Sequence, residues 1–432
     1  MENHTPAQQT AILAGLNADL FTKEENATDA TLDELEALLE TAGGTCAAKV
    51  LQHRDAPDPH SFLGDGKARE IAELVRTTGA TMVILDNDLS PSQIRALEEI
   101  TGAAVMDRGA LILDIFAQRA NTREGRLQVE LAQYQYYLPR LQVWNETMGR
   151  LGGGIGTRGP GETQLETDRR HIRSRITKLR AELAEVRQNR GTARQKRRKN
   201  GLPVVALVGY TNAGKSSILN ALTDAGIPAV NRLFDTLDTT TRRLRISDRQ
   251  EVLLSDTVGF IAKLPHHLVA AFRATLEELE YADLLLHVAD ASDPELEDHI
   301  PVVEGLITEL AGEAVPVIRV YNKIDLVPEF ELPRDIPCVG ISALTGEGLP
   351  ELLAQIEKKL SEDCRPVRFL LTWAQAGELD RLHREASVRN VEYLDTGMLV
   401  DCVCDPAVYG RLRDAARAAE EYGEPEDGSR ES

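Results

Sequence analysis

The 432-residue sequence predicts an α/β protein of several domains, built around a nucleotide-binding domain with a parallel sheet. Three observations support this prediction. The apolar run at residues 202–208 leads into a glycine-rich turn that is followed by a helical pattern. Residues 31–120 alternate helical and strand patterns, as a small parallel sheet requires. Two long stretches, 127–141 and 172–186, repeat apolar residues at steps of three and four, which is typical of two helices that pack together.

The glycine-rich turn has the spacing G-x-x-x-x-G-K-S, which is that of a phosphate-binding P-loop. In this motif, backbone N–H groups surround phosphate oxygens and the following helix points its positive end at them. We expect Lys215 to reach the outer phosphates and the Ser216 hydroxyl to bind Mg²⁺. The predicted phosphate-binding residues are Gly209, Tyr210, Thr211, Asn212, Ala213, Gly214, Lys215, Ser216 and Ser217. The chain is therefore predicted to bind a nucleoside triphosphate.

Two motifs further along the chain predict which base is bound. They are Asn322, Lys323, Ile324 and Asp325 after one strand pattern, and Ser342, Ala343 and Leu344 after the next. The Asp325 carboxylate can accept hydrogen bonds from N1–H and from the exocyclic amine of guanine, a donor pair that adenine lacks. We expect Asn322 to connect this loop to the P-loop and the Ala343 N–H to meet guanine O6. The motifs predict GTP as the nucleotide, and the alternative is a polar turn after a strand.

A third motif, Asp256, Thr257, Val258 and Gly259, ends another strand pattern in D-x-x-G. We expect Asp256 to hold a water on Mg²⁺ and the Gly259 N–H to contact the γ-phosphate. The preceding segment, 233–242, is predicted to be a switch in which one threonine binds Mg²⁺ only while the γ-phosphate is present. Its nucleotide-binding candidates are Phe234, Asp235, Thr236, Leu237 and Asp238. Thr236, Thr239, Thr240 and Thr241 all remain open as the metal ligand.

Phe260 follows Gly259, where fast GTPases often have a glutamine that orients water. A phenyl ring cannot polarise water, so the sequence predicts slow hydrolysis until a partner completes the site. His266 and His267 are interpreted as solvated rather than catalytic, and His287 as a hydrogen-bonded strand histidine.

Composition and pattern divide the chain into six segments. Residues 1–30 are predicted to be a flexible N-terminus and residues 424–432 an acidic, disordered tail. Between them we expect four units. They are an N-terminal α/β domain (31–120), an antiparallel helical hairpin arm (121–200), the nucleotide-binding domain (201–361) and a small α+β domain (362–423).

The second helix of the predicted arm is basic, although the formal net charge of the chain is −20. Residues 169–199 contain thirteen Lys or Arg and two acids, which predicts contact with RNA; a solvated helix face is the alternative. The glycine-rich stretch 151–162 cannot form a helix, and we expect it to present Arg158 to RNA at the arm tip. The RNA-binding candidates are Arg158, Arg169, Arg170 and Arg173.

A second nucleotide site is predicted less strongly in the N-terminal domain. Gly64, Gly66 and Lys67 form a short glycine-rich turn that enters a helix, and Asp86 follows the next strand pattern. The turn lacks the P-loop spacing, so a plain tight turn is the alternative.

Composition also limits the location of the chain. No stretch reaches the roughly 18 consecutive apolar residues of a membrane helix, and the N-terminus lacks the basic and apolar regions of a signal peptide. The five cysteines are irregularly spaced, and Cys402 and Cys404 are expected to be packing residues. We therefore expect a cytoplasmic protein without stable membrane insertion. Nothing in the sequence demands a dimer, so a monomer is expected.

These motifs together resemble the HflX family of ribosome-associated GTPases, which is related to translation-factor and Obg-like P-loop GTPases. Further markers are the segments 64–67, 124–132, 139–141, 159–169 and 256–266, of which 159–169 is the most specific. The resemblance implies a P-loop GTPase domain with an N-terminal parallel α/β domain, a helical hairpin arm and a small C-terminal α+β domain. It also implies that Thr236 is the metal-binding threonine, that Lys215, Thr236 and Gly259 are catalytic, and that Ser216, Thr236 and Asp256 hold Mg²⁺, Asp256 through water. Asp235 and Thr239 depart from the family pattern, which leaves the switch geometry open.

The resemblance further implies a partner and a role. The expected partner is the large (50S) ribosomal subunit with its rRNA, and the expected role is the splitting or rescue of stalled ribosomes under stress. It raises the expectation that the turn at Gly64 and Lys67 binds ATP. The alternatives are an Obg-like ribosome assembly GTPase, an ATP-dependent rRNA remodeller that uses the N-terminal domain, and a non-catalytic scaffold.

Overall fold

A computed structural model describes most of the chain. The described residues are 9–23, 25–140, 160–198, 202–223, 233–234, 240–247, 250–261, 263, 279, 282–312, 315–334, 336–362, 365–404 and 406–423.

The N-terminal domain is a four-stranded parallel sheet with helices between its strands. Its strands are β1 (Thr10–Ala18), β2 (Thr45–Arg54), β3 (Met82–Leu85) and β4 (Ala104–Asp107), in the order β2-β1-β3-β4. Its helices are α1 (Asp29–Thr41), α2 (Asp65–Thr78), α3 (Pro91–Thr101) and α4 (Arg108–Arg119). Polar side chains start three of these helices: Thr28, Ser90 and Asp107 accept hydrogen bonds from backbone N–H groups of the first turn.

The prediction of a flexible segment at residues 1–30 is wrong for β1. This strand pairs with both β2 and β3 and lies inside the sheet. Leu13 faces one core of the domain, and Ile12 faces the other, and both are fully buried. A strand buried on both faces has a continuous apolar run instead of an alternating pattern. The run in β1 is also rich in Ala and Gly, which have low strand propensity.

The arm consists of α5 (Arg123–Arg140) and α6 (Pro160–Arg198), which pack along a shared apolar seam. The prediction that the stretch 151–162 cannot form a helix is wrong for residues 160–162, which form the start of α6; residues 151–159 lie outside the described residues. The seam contains Leu127, Leu131, Tyr134, Leu138, Ile172, Ile176, Leu179, Leu183 and Val186, as the sequence predicted. Leu141, also predicted in the seam, lies outside the described residues, and Pro139 lies in the last described turn of α5. A bidentate ion pair between Arg175 and Glu130, at 2.7 and 2.8 Å, joins the two helices beside the seam.

The nucleotide-binding domain has a six-stranded sheet in the order β10-β9-β8-β5-β7-β6. The strands are β5 (Val204–Gly209), β6 (Thr240–Arg245), β7 (Glu251–Asp256), β8 (Leu284–Asp290), β9 (Val317–Asn322) and β10 (Cys338–Gly340). The described helices are α7 (Lys215–Thr223), α8 (Leu296–Ala311) and α9 (Leu349–Ser361), with a 3₁₀ turn at Ile324–Leu326. All strand pairs are parallel except β6 with β7. The polar loops that follow the parallel strands therefore meet at one edge of the sheet.

The C-terminal domain is a three-stranded antiparallel sheet in the order β11-β13-β12. It contains β11 (Arg365–Thr372), α10 (Ala376–Glu385), β12 (Ser387–Leu394), β13 (Gly397–Cys404), α11 (Pro406–Arg411) and α12 (Arg413–Ala419). Cys402 and Cys404 are both buried in its apolar core, so they are packing residues. Along the described parts of the chain, no helix is both long enough and apolar enough to cross a membrane.

The buried position of β1 predicts how substitutions in and beyond this strand change the stability of the N-terminal domain. Leu13 is completely buried, whereas Leu20, just beyond the strand, is 74% exposed. We expect Leu13→Ala to lower the unfolding free energy of the N-terminal domain by about 2–5 kcal/mol, because it leaves a cavity in the sheet core. Leu20→Ala is the matched control and should change it by less than about 0.5 kcal/mol. Hydrogen exchange of the β1 and β3 amides measures both values. Equal effects of the two substitutions would contradict the buried strand.

Candidate functional site

The predicted nucleotide motifs come together at the carboxyl edge of the six-stranded sheet. Gly209 ends β5, Asp256 ends β7, Asp290 ends β8 and Asn322 ends β9. These strands are parallel neighbours, so the loops after them converge. In open α/β sheets, ligands bind at this edge.

The P-loop holds Lys215 in a buried position. Its ammonium donates hydrogen bonds to the backbone oxygens of Gly209, at 3.0 Å, and Tyr210, at 2.8 Å. Burial lowers the pKa of Lys215 to about 8, and the nearby Asp256 carboxylate opposes that shift. Gly214 has a φ of +94°, and a Cβ at this position would lie 2.1 Å from the Asn322 amide nitrogen. Glycine at 214 is therefore required both by the backbone and by the close approach of Asn322.

Ser216 and Asp256 form the oxygen pair expected around Mg²⁺. The Ser216 hydroxyl donates a hydrogen bond of 2.7 Å to the Asp256 carboxylate, across 40 residues of sequence. Hydroxyl and carboxylate oxygens are the hard donors that Mg²⁺ prefers. The neighbouring Thr257 is fully buried, and its hydroxyl donates to the Leu207 oxygen at 2.7 Å, which fixes the end of β7 against β5.

Gly259 and Phe260 pack directly on the P-loop. The Thr211 N–H donates to the Phe260 oxygen at 2.7 Å, and the Phe260 N–H donates to the Gly209 oxygen at 3.1 Å. A Cβ on Gly259 would lie 2.9 Å from Thr211 atoms and 3.0 Å from the Lys215 ammonium, so only glycine fits. The Phe260 ring is buried in a core shared with Val258, which leaves no water-orienting group at this position.

Asn322 connects three loops of the site. Its amide nitrogen donates to the Ala213 oxygen of the P-loop at 2.9 Å, and its amide oxygen accepts from the Ala343 N–H at 3.0 Å. The first contact is the one that the sequence predicted. The Ala343 N–H was expected to meet guanine O6, and here it is already used by Asn322. The Ile324 N–H donates to the Ile341 oxygen at 3.2 Å, so the two base-reading loops lie side by side.

The remaining predicted base-reading residues surround this connection. Lys323 forms an ion pair of 2.6 Å with Asp290 at the end of β8. Asp325 is half-buried in the 3₁₀ turn, the buried Ser342 hydroxyl accepts from the Thr345 N–H, and Leu344 is exposed. The two segments predicted to bind guanine are therefore adjacent, and Asp325 in one of them is half-buried.

Part of the predicted switch lies outside the described residues. This applies to Asp235, Thr236, Leu237, Asp238 and Thr239, and also to His266 and His267. Phe234 is described and is buried. Thr240 and Thr241 lie in β6, where the Thr241 hydroxyl is 3.2 Å from that of Ser255. The role of Thr236 as metal ligand stays a prediction.

The prediction of a hydrogen-bonded His287 is wrong for one of its two ring nitrogens, Nδ1. His287 is buried in β8, but its Nδ1 has no hydrogen-bond partner within the described part of the chain. Burial, together with the positive charges of Arg319 and Lys215, lowers the pKa of His287 to about 3, so the ring is neutral. A strand pattern places a side chain inside a sheet but says nothing about its hydrogen-bond partner.

Sequence reasoning also missed residues around the P-loop. The Tyr210 ring stacks on His299 with centroids 3.8 Å apart, and His299 is 2.7 Å from Asp293. A cavity of about 340 Å³ lies beside this stack, between α1, the P-loop and α8. Asp290 could have been found, because it ends a strand at the same edge as Asp256. Glu34, which also lines the cavity, has no sequence signal because it comes from the N-terminal domain.

The RNA-binding candidates differ in accessibility. Arg170 and Arg173 are exposed on α6, Arg169 is half-buried, and Arg158 lies outside the described residues. Arg180 is also exposed and lies about two turns after Arg173 on the same face of the helix. These arginines form the exposed basic face of α6.

The predicted second nucleotide site gains no support from the contacts around it. The Gly64 N–H, at the start of α2, donates to the Gln52 side chain at 3.0 Å, Gly66 follows in the first turn, and Lys67 pairs with Glu70 at 2.7 Å. Asp86 is completely buried in ion pairs with Arg108 and Lys263. Asp86 is therefore not accessible to a nucleotide.

Three family descriptions match consecutive parts of the chain. GTP-binding GTPase N-terminal matches residues 29–117, GTP-binding GTPase Middle Region matches residues 119–197, and 50S ribosome-binding GTPase matches residues 204–323.

Individual proteins are also similar. GTPase HflX of Lacrimispora saccharolytica is 45% identical over 403 residues, which cover 93% of this chain and 95% of the relative. GTPase HflX of Escherichia coli (strain K12) is 48% identical over 347 residues, which cover 79% of this chain and 81% of the relative. A solved structure, a GTP-binding protein from the archaeon Sulfolobus solfataricus in complex with GDP, is 24% identical. The superposed region covers 82% of this chain and 99% of the Sulfolobus chain, with a TM-score of 0.44.

The lowered pKa of Lys215 predicts a pH dependence of nucleotide binding. The free protein loses the Lys215 proton near pH 8, whereas bound phosphates favour the charged form. Binding above pH 8 therefore takes up a proton, and affinity for GTP should fall by up to about tenfold per pH unit from there upward. Fluorescent-nucleotide titrations between pH 7 and 9.5 measure this. Lys215→Arg, which stays charged, should bind with a pH-independent affinity; a flat profile in the unmodified protein would contradict the assignment.

Proposed function

Because the chain belongs to the HflX family of GTPases, we propose that it is a GTP-gated factor that docks on the large ribosomal subunit and splits or rescues stalled ribosomes. The chain hydrolyses GTP, as its family and its P-loop domain indicate. The observation that favours the ribosome as partner is the exposed basic face of α6, in a chain of net charge −20. The match of residues 204–323 to the description 50S ribosome-binding GTPase favours the same partner.

The Mg²⁺ site follows from the pair of oxygens at Ser216 and Asp256. Their 2.7 Å hydrogen bond supports a site in which Ser216 would bind the cation directly and Asp256 would bind it through water. Bound Mg²⁺ neutralises charge on the β- and γ-phosphates. Thr236 completes the set when the γ-phosphate is present.

Lys215 and Gly259 act on the transferred phosphoryl group. The Lys215 ammonium releases its two backbone oxygens and pairs with phosphate oxygens instead, which offsets the cost of its burial. The Gly259 backbone lies beside this ammonium, which supports the proposal that its N–H donates to the γ-phosphate. With Phe260 buried next to it, nothing at that position orients water. Hydrolysis by the chain alone is therefore slow, and ribosomal contacts accelerate it.

Guanine is recognised by Asp325, while Asn322 holds the loops around the base. Asp325 accepts from both guanine donors, and the Asn322 contacts to Ala213 and Ala343 fix the distance between phosphate site and base site. A bidentate carboxylate contact of this type rejects adenine because the carboxylate would be left unpaired.

The alternatives are less consistent with these contacts. An ATP-dependent remodeller needs a second nucleotide site, but Asp86 is buried and Lys67 is paired. An Obg-like assembly factor would bind immature particles in preference to mature subunits, and no contact among the described residues favours it. We propose a cytoplasmic monomer.

Asp325→Asn tests the assignment of the base. Xanthine has an oxygen where guanine has its exocyclic amine, so an Asn amide can donate to it while the Asp carboxylate is repelled. We expect affinity for GTP to fall by at least about 100-fold and affinity for xanthosine triphosphate to rise correspondingly. Calorimetry with both nucleotides measures the exchange. Loss of both affinities would indicate misfolding, and unchanged GTP affinity would refute the role of Asp325.

The basic face of α6 predicts how subunit binding depends on salt. Neutralising Arg170, Arg173 and Arg180 to Gln should reduce the slope of log affinity against log salt by about two to three, because each phosphate contact releases counterions. Filter binding to purified large subunits, with a GTP analogue present, measures the slope. The matched control has the same charge change at exposed arginines elsewhere: Arg76, Arg334 and Arg413 to Gln. An equal slope in both variants would rule out α6 as the RNA-binding surface.

A further inference from the structure

Four charged side chains form an ion cluster between the N-terminal and nucleotide-binding domains. Arg108 is 1% exposed and donates to Asp86 at 2.8 Å and to Glu34. Lys263 pairs with the second oxygen of Asp86, which is completely buried. We call Glu34, Asp86, Arg108 and Lys263 the interdomain cluster; its two acids and two bases balance.

The interdomain cluster contacts the GTP-binding segments directly. Lys263 lies four residues after Gly259, in the segment that begins against the P-loop. Tyr210, inside the P-loop, donates its hydroxyl to Glu34 at 2.6 Å. Phe234, two residues before Thr236, packs edge-on against Phe116 of α4 with ring centroids 4.7 Å apart. The P-loop and the segments before Thr236 and after Gly259 are thus each attached to the N-terminal domain.

Backbone geometry indicates that two of these attachments hold their segments in place. Phe234 and Lys263 both have a φ of +55°, in the left-handed region that L-residues seldom adopt. Such conformations persist only where the surrounding structure fixes them. Burial and the positive charge of Arg108 lower the pKa of Lys263, whereas the carboxylates of Asp86 and Glu34 oppose that shift.

The same helix end that supplies Arg108 also contacts the arm. Asp107, the preceding residue, accepts from the Tyr136 hydroxyl and from the Arg140 guanidinium, both at 2.8 Å. Arg140 also lies over the Tyr136 ring, 3.3 Å from its centroid. These two residues belong to the last described turns of α5. Ion pairs therefore run from Lys263 through Asp86 to Arg108, and the backbone joins Arg108 to Asp107, which contacts α5.

Removing Lys263 from its place would leave two carboxylates, the fully buried Asp86 and the partly buried Glu34, with Arg108 as their single counter-ion. Breaking one partner out of a buried ion pair is strongly unfavourable, since the remaining charge is left uncompensated. Any movement of the segment after Gly259 is consequently opposed by the N-terminal domain. Any movement of α4 in turn changes the ion pairs that hold this segment.

We propose that Asp86 is a positioning residue for GTP hydrolysis, which acts by holding Lys263, and that this ion pair connects the nucleotide site to the arm. The positioning role requires only that the chain hydrolyses GTP. The connection to the arm rests on the proposed function.

Lys263→Met tests the positioning role in the full-length chain. A misplaced segment after Gly259 should lower the single-turnover rate of GTP hydrolysis by about 10- to 100-fold while the KM for GTP is unchanged. Lys263→Arg keeps the charge and should restore most of the rate. The control is Lys23→Met, which removes another ion pair between the two domains, the exposed 2.6 Å pair of Lys23 with Asp298. An unchanged rate in Lys263→Met would overturn the proposal.

A double-mutant cycle identifies Asp86 as the partner. Because the two residues act as a unit, Asp86→Asn combined with Lys263→Met should be no slower than Lys263→Met alone. If the fold-reductions of the hydrolysis rate caused by the two single substitutions multiply in the double variant, the pairing is refuted. If Asp86→Asn fails to fold, the comparison of Met and Arg at position 263 still decides the positioning role.

Hydrogen exchange tests the connection to the arm without ribosomes. In the unmodified chain, amides near Tyr136 should exchange at different rates with GDP and with a non-hydrolysable GTP analogue, and Lys263→Met should abolish the difference. No nucleotide dependence in the unmodified chain would refute the connection. Since neither assay contains ribosomes, both outcomes are independent of whether the arm docks on the large subunit.

Discussion

The nucleotide site depends on the two hydrogen bonds of one side-chain amide. Asn322 donates to the P-loop at Ala213 and accepts from Ala343, so the phosphate-binding loop and both base-reading loops are held at fixed separations. The amide reaches the P-loop only because position 214 is a glycine, as any Cβ there would collide with it. Each loop alone is a short turn after a strand, whereas together they place the P-loop next to the two loops that are predicted to bind the base. The parallel order of β5, β7, β8 and β9 brings these turns within reach of one another.

The P-loop domain is not an independent module in this chain. Its P-loop tyrosine and the segments on both sides of the γ-phosphate position contact the N-terminal domain through Glu34, Phe116 and Asp86. The arm is attached to the other side of the same helix α4 through Asp107. A change at the phosphate can therefore reach the arm through side chains that are packed in both domains, in which small displacements are costly.

The sequence predicted that the motif loops meet at the carboxyl edge of the sheet, because each motif follows a strand and strand ends fix where the motifs lie. The seam of the arm was predictable for a similar reason, since its apolar period places Leu131 and Leu179 on facing sides of two helices. Strand β1 was missed because a strand buried on both faces has no alternation. The Tyr210–Glu34 and Lys263–Asp86 contacts could not be predicted, since their partners are 176 and 177 residues apart and meet only through domain docking. Whether the His287 Nδ1 finds a hydrogen-bond partner likewise depends on its neighbours in the folded sheet.

The central claim is that the γ-phosphate controls whether the arm docks on the ribosome. The most direct measurement is co-sedimentation of the full-length chain with purified large ribosomal subunits at one salt concentration, loaded either with GDP or with a non-hydrolysable GTP analogue. The account predicts that the analogue strengthens binding by between about 5-fold and 150-fold, the range of a typical coupling between two sites. Equal sedimentation with the two nucleotides would contradict it.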